Sequence, residues 1–189
     1  GDNLIAILVW HMGKSGFSHI DSGISAMIFE AEGDGVSIVS DNSWECSVIH
    51  GYSTADVPEP NYRLPESSVR FDARKFSNEW YLGGSPEYLG RAMELPFAPG
   101  SAPFGELVAR PIPLWKDYGI REYESVERIG DRLVCGLPYN CHVSPVLKVE
   151  APEGRVITIE TDHAVVTGSD CVRAQYVTRE GVQEYEHFC

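Results

Sequence analysis

Thiol chemistry is the first chemistry that the residue types of this chain suggest. The 189 residues include six histidines and five cysteines, Cys46, Cys135, Cys141, Cys171 and Cys189. A thiol becomes a strong nucleophile when a neighbouring imidazole takes its proton, so this pairing favours attack on an amide or ester carbonyl. Structural zinc sites need cysteine pairs separated by roughly two to four residues. Cys135 and Cys141 lie six positions apart and no second pair matches them, so we predict no metal site and no cofactor.

Two other chemistries are not indicated by the residue spacing. Gly13-Lys14-Ser15 has the end of a phosphate-binding loop, but Leu8 stands where that loop needs its first glycine. A carboxylate pair for glycoside hydrolysis cannot be singled out among 28 acidic residues.

The composition predicts a soluble globular protein. Apolar residues make up 43% of the chain and charged residues 23%, which is ordinary for a globular domain. The net charge of −13 would repel a polyanion, so no nucleic-acid partner is expected. The longest apolar run, Leu4–Trp10, is far shorter than the roughly twenty residues that a membrane span needs.

The elements that would position the reactive groups begin with an antiparallel unit. Leu4–Trp10 is short, branched and continuously apolar, which predicts a buried strand. Ile24–Phe29 and Val36–Val39 predict two further strands. Glu32-Gly33-Asp34-Gly35 between them has the Asp-Gly step that a tight hairpin turn needs.

Helices are predicted after this unit. Val69–Asp72 alternates as a strand does. Ser85 can cap free amides and Pro86 is tolerated at a first helical position, so a helix is predicted from Ser85 to about Leu95. A short helical stretch near 104–109 follows within a segment rich in proline and glycine.

The second half of the chain predicts strands alone, with a turn at Glu153-Gly154. The predicted strands are Asp131–Val134, Ser144–Val149, Arg155–Glu160, Ala164–Thr167 and Val172–Thr178. The predicted fold class is α+β: an antiparallel β-sheet with one or two helices (domain 1–110), followed by a small all-β barrel-like module (111–189).

The amino-terminal order of motifs carries a resemblance to a known family. Gly1-Asp2 precedes an apolar strand, Ser18-His19 precedes a second one, and Glu30 stands near its end. This resembles the circularly permuted NlpC-like branch of the papain-fold cysteine hydrolases over residues 1–110. The resemblance implies that His19 is the general base and Glu30 the group that orients it.

The nucleophile of that family would open a helix after the one predicted at 85–95. Ala102 stands there instead, so the resemblance leaves two candidates: Cys141, or a thiol lost at Ala102. It implies a thiol-dependent hydrolase or transferase acting on amide or ester bonds, with peptide or peptidoglycan-like substrates. Such an activity would suit a secreted bacterial effector or a phage component.

A weaker resemblance covers residues 102–189. Val126–Leu133 and Gly154–Val165 resemble the Gly-Asp turn and the histidine block of Hint (intein and Hedgehog-type) domains. This implies autoprocessing centred on His163, although Glu160 replaces the usual threonine and the terminal His-Asn is absent. The same histidine block also resembles that of ordinary papain-type proteases, which would pair it with Cys46.

A third function class is a non-catalytic structural or interaction protein of a larger assembly. It predicts no reactive thiol and a large apolar surface patch. The hydrolase predicts an activated thiol, and the Hint-like domain predicts self-cleavage.

Overall fold

A computed structural model describes residues 4–11, 13, 15, 20–54, 69–76, 90–98, 100–102, 105–141, 143–161 and 171–186. These residues form twelve β-strands and no helix. Among them, no helix is long and apolar enough to cross a membrane.

The strands form one four-stranded sheet, of order β10-β11-β5-β4, and four two-stranded sheets, β1-β2, β3-β6, β7-β8 and β9-β12. Their bounds are β1 Glu30–Gly33, β2 Val36–Val39, β3 Glu45–Cys46, β4 Tyr52–Thr54, β5 Val69–Asp72, β6 Gly90–Arg91, β7 Ser125–Ile129, β8 Arg132–Gly136, β9 Val146–Ala151, β10 Val156–Thr161, β11 Cys171–Val177 and β12 Gly181–Glu186.

The turn and the second strand of the hairpin predicted in the first half are confirmed, but its first strand is Glu30–Gly33 and not Ile24–Phe29. β1 and β2 pair from Glu30 opposite Val39 to Gly33 opposite Val36. Asp34 and Gly35 both have positive φ, 49° and 79°, which is the backbone of the tight turn that matches strand twist.

The four-stranded sheet is built around β11. β10 and β4 run antiparallel to their neighbours, whereas β5 lies parallel to β11, with Val69 opposite Ala174 and Asp72 opposite Val177. All residues from Ala174 to Val177 are buried, as expected for a central strand covered on both faces. One sheet therefore contains strands from both sides of position 110, and the division into two domains stays a prediction.

Aromatic rings form the core between this sheet and the β9-β12 ribbon. Tyr185 of β12 stacks on Tyr176 and on Phe71, at 4.6 and 5.4 Å between ring centroids. Phe71 and Tyr176 lie 6.0 Å apart, and all three side chains are at most 2% exposed. Ile157 of β10 and Leu147 of β9 pack against them, so this contact holds two sheets together.

Buried polar groups at the connection between β11 and β12 are hydrogen-bonded. The Thr178 hydroxyl donates to the Pro152 carbonyl and accepts from the Arg155 amide, at 2.7 and 2.9 Å. The Gln183 side chain accepts from the Tyr176 hydroxyl at 3.0 Å and donates to the Arg179 carbonyl at 2.8 Å. These bonds fix the start of β10, the end of β11 and the start of β12 relative to one another.

The α+β prediction is wrong, because the described part of the predicted helices is not helical. Within 85–95, Gly90–Arg91 forms β6 and pairs with β3, and the Ala92 amide donates to the Trp44 carbonyl at 3.0 Å. Glycine costs about 1 kcal/mol inside a helix, and pairing with β3 satisfies the same backbone groups. Gly105 has a φ of +73°, which a right-handed helix does not allow, and 105–109 is irregular.

Two predicted strands of the first half are also absent. Leu4–Trp10 is irregular, and its large apolar side chains are 37–62% exposed. A strand needs a partner for its backbone groups, and no described residue pairs with this segment. Residues 25–29 are irregular too, and the strand begins at Glu30.

Four strand predictions of the second half are confirmed to within about two residues, as β8, β9, β10 and β11. The Glu153-Gly154 turn is confirmed as well. The strand predicted at Ala164–Thr167 lies outside the described residues. β7 and β12 were not predicted.

Candidate interaction surface

The predicted catalytic residues are not assembled within the part of the chain that the structure describes. Glu30 is the exposed first residue of β1. Cys141 is a free, partly buried thiol in the loop between β8 and β9, and no hydrogen bond or ion pair among the described residues joins it to Glu30. His19 lies outside the described residues. Ala102 is exposed in a turn.

The alternative catalytic sets lie only partly within the described residues. Cys46 is a free, exposed thiol on β3, and His163 lies outside the described residues. The Gly130-Asp131 motif forms the two-residue turn between β7 and β8, with a φ of 65° at Gly130. Within the described ranges, no three His, Cys, Asp or Glu side chains cluster as metal ligands would.

The cluster of charged side chains with the best hydrogen-bond geometry connects elements of the fold. Asp72, at the end of β5, is 6% exposed and accepts two hydrogen bonds from the Arg74 guanidinium, each 2.8 Å long. Those bonds hold the pKa of Asp72 below its usual range, against the opposing effect of burial. Arg74 also lies 3.9 Å from Glu153, so this ion pair links the end of β5 to the turn before β10.

We expect Asp72→Asn to lower the free energy of unfolding by about 1–2 kcal/mol at pH 7. Because the pKa of Asp72 is depressed on folding, its contribution exists above the unfolded pKa of about 3.9 and is lost as the pH falls through the folded pKa. Urea unfolding of both proteins at pH 7 and about pH 3 should show the difference shrinking. The control is Asp34→Asn, an exposed turn residue whose replacement tolerates positive φ. An undiminished difference at pH 3 would contradict the ion pair.

The most unusual surface is a continuous segment, residues 105–139, called here the apolar arm. Every residue in it except Gly136 is exposed. Pro111, Pro113 and a positive φ at Gly119 exclude a regular element before β7. The large apolar residues exposed in the arm are Leu107, Val108, Ile112, Leu114, Trp115, Tyr118, Ile120, Tyr123, Val126, Ile129, Leu133, Val134, Leu137 and Tyr139.

The β7-β8 hairpin at the end of the arm is exposed on both faces. An isolated two-stranded hairpin is only marginally stable in water. Tyr123 lies against it: partial burial raises the pKa of this tyrosine, with a smaller contribution from Cys135 of β8. An ion pair of 3.7 Å joins Arg132 of β8 to Glu160 of β10. Of the two strands of the hairpin, β8 is therefore the one that faces the four-stranded sheet.

The arm differs from the rest of the chain in charge. The chain carries −13, but the arm is almost neutral. It contains five cations, Arg110, Lys116, Arg121, Arg128 and Arg132, and six anions, Glu106, Asp117, Glu122, Glu124, Glu127 and Asp131. An apolar, nearly neutral segment rich in Trp, Tyr and Arg has the composition of a protein–protein interface.

Sequence reasoning did not identify the arm. The available signal was the mixture of proline and glycine with large apolar residues over 105–123, which allows neither a helix nor a core strand. Comparison of the chain with protein-family models, curated proteins and solved structures finds no significant match.

Proposed function

We propose that this protein is a non-catalytic interaction protein, a subunit of a larger assembly, and that it binds a protein partner through the apolar arm. The observation that carries the proposal is the exposure of the arm's largest side chains: Leu114 is 76% exposed, Trp115 81% and Ile120 80%. Side chains of this kind are normally buried on folding or on binding.

The size of the arm supports a specific interface. Trp115, Tyr118 and Tyr139 are 81%, 67% and 72% exposed. With about 150–250 Å² for each aromatic side chain, these three leave roughly 330–550 Å² in water. With its eleven other exposed apolar residues, the arm can supply the roughly 800 Å² that each partner contributes to a stable interface.

Site-specific photo-crosslinking in the cells that express the protein tests this proposal. A photoreactive phenylalanine analogue replaces Trp115 in one variant and Tyr118 in another. Because both positions lie in the proposed interface, we expect each to give an adduct of one defined mass, detected by electrophoresis and mass spectrometry. The matched control replaces Met93, which is 86% exposed but lies outside the arm.

The proposal fails if the arm positions give no more adduct than the control position. It also fails if they give many masses without a dominant product, because that is the result expected for indiscriminate hydrophobic contact rather than a docking surface.

A second candidate is the thiol-dependent hydrolase acting on peptide or peptidoglycan-like amides. It is supported by the resemblance of residues 1–110 to the permuted papain-fold hydrolases, and by Cys141 being a free and partly accessible thiol in a loop. Cys141 follows the arm by two residues, so in such an enzyme the arm would lie beside the nucleophile. His19 would be the base and Glu30 its orienting partner.

A further inference from the structure

Among the described residues, no strand pairs with the outer edge of β7. A two-residue turn connects β7 to β8. The residues that flank the turn, Ile129 and Arg132, therefore form a hydrogen-bonded pair, in which the N–H of each residue donates to the carbonyl of the other. The same pattern recurs at every second pair along the hairpin, at Glu127–Val134 and Ser125–Gly136. The N–H and C=O groups of Val126 and Arg128 therefore point away from β8. No described residue pairs with these groups.

β7 lacks several of the features that protect natural edge strands, and its two charged residues restrict the register in which a strand can be added. Natural edge strands are commonly protected by proline, lysine or a bulge. Ser125-Val126-Glu127-Arg128-Ile129 contains no proline and no lysine, and its register with β8 is continuous. An added strand can therefore extend this ribbon.

We propose that the partner of the apolar arm is a second copy of this chain, joined by antiparallel pairing of the two β7 strands about a two-fold axis at Val126. The proposal rests on the proposed interaction function and names its partner. A two-fold interface uses the same patch on both copies, so the patch must be complementary to itself.

The charges along β7 select the register. Three two-fold registers pair at least three residues of the strand, with the axis at Val126, Glu127 or Arg128. An axis at Glu127 or Arg128 sets that charged residue opposite its own copy, which is unfavourable. An axis at Val126 sets no charged residue of β7 opposite its own copy: Val126 lies against Val126 of the partner subunit, and Glu127 lies against Ser125 of the partner subunit.

The charge of the whole arm agrees with self-association. Two copies that each carry −13 repel each other over most of their surfaces. The arm, with five cations and six anions, is the long exposed segment where two copies meet with little repulsion. We therefore expect dimerisation to strengthen as added salt screens the remaining charge.

Disulfide trapping tests the register. In a cysteine-free background, Val126→Cys places two thiols across the axis, where the Cα atoms of a hydrogen-bonded pair lie about 5.5 Å apart, within disulfide range. Ser125→Cys is the matched control, because its copies are more than about 7 Å apart in this register and both charged residues of β7 are kept. After mild oxidation, we expect more than about tenfold as much covalent dimer from Val126→Cys as from the control.

Sedimentation of the unmodified chain supplies an independent measurement. We expect a monomer–dimer equilibrium that Val126→Pro shifts to monomer. Proline at this position removes the N–H that would donate to the partner strand, and it leaves the hydrogen bonds between β7 and β8 in place. Unchanged circular dichroism would show that the hairpin and sheets persist in this variant.

The possible outcomes separate this proposal from the function on which it rests. Equal trapping at both positions, or a monomer at all concentrations, overturns the two-fold pairing. If the arm still forms a discrete photo-adduct with a different protein, the interaction function stands and only the identity of the partner is wrong. If the arm forms no adduct and no dimer, both fail.

Discussion

Replacing Phe71 with alanine is expected to lower the free energy of unfolding by about 3–5 kcal/mol. Phe71 is 1% exposed and contacts rings from three strands: Tyr52, Tyr176 and Tyr185. Its removal leaves a cavity between the four-stranded sheet and the β9-β12 ribbon. The Gly51 backbone also approaches the ring so closely that an added Cβ would lie 2.9 Å from it, so the surrounding backbone is already shaped around this side chain.

Chemical denaturation followed by circular dichroism measures this effect. Phe71→Leu keeps most of the volume and is expected to cost less than about 1.5 kcal/mol. Met93→Ala removes a side chain that is 86% exposed and is expected to stay within about 0.5 kcal/mol of the parent. If Phe71→Ala were as stable as Met93→Ala, the aromatic cluster would not be the core of this protein.

A Cys141 thiol without an imidazole partner is expected to be alkylated slowly at pH 6, well below the rate of a thiolate. The reason is that an ordinary thiol, with a pKa near 8.5, is almost entirely protonated at that pH. The interaction proposal predicts this result, because it assigns no imidazole to Cys141. Mass spectrometry after timed exposure to iodoacetamide gives the rate at each cysteine.

The same experiment decides the hydrolase candidate. An imidazole-paired thiolate would react fast at pH 6, and His19→Ala would abolish that fast reaction. Fast reaction of only the thiol introduced by Ala102→Cys would place the nucleophile at that position. Slow reaction of every thiol in both proteins excludes the hydrolase and leaves the interaction function.

The sequence by itself determined the local features of this fold. The Asp34-Gly35 turn and the Glu153-Gly154 turn arise from residues that tolerate positive φ. β2 and β5 were predicted at their observed bounds, because a short run of branched or alternating residues specifies extended backbone without reference to distant parts of the chain.

The sequence also determined the properties that depend on composition alone. The net charge of −13 disfavours contact with a polyanion whatever the fold, and the absence of a nucleic-acid partner stays a prediction. The shortness of the Leu4–Trp10 run argued against a spanning helix, and none is found among the described residues.

Only the tertiary structure decided which backbone groups pair and which side chains stay in water. The segment around Gly90 has a helical periodicity, but β3 offers it hydrogen bonds from more than forty residues away. Leu4–Trp10 has the pattern of a buried strand, yet no described strand pairs with it. The parallel pairing of β5 with β11 and the exposure of the apolar arm depend in the same way on distant residues. The periodicity of a segment indicates which secondary structure it prefers. Its burial depends on a partner surface elsewhere in the chain, or in another chain.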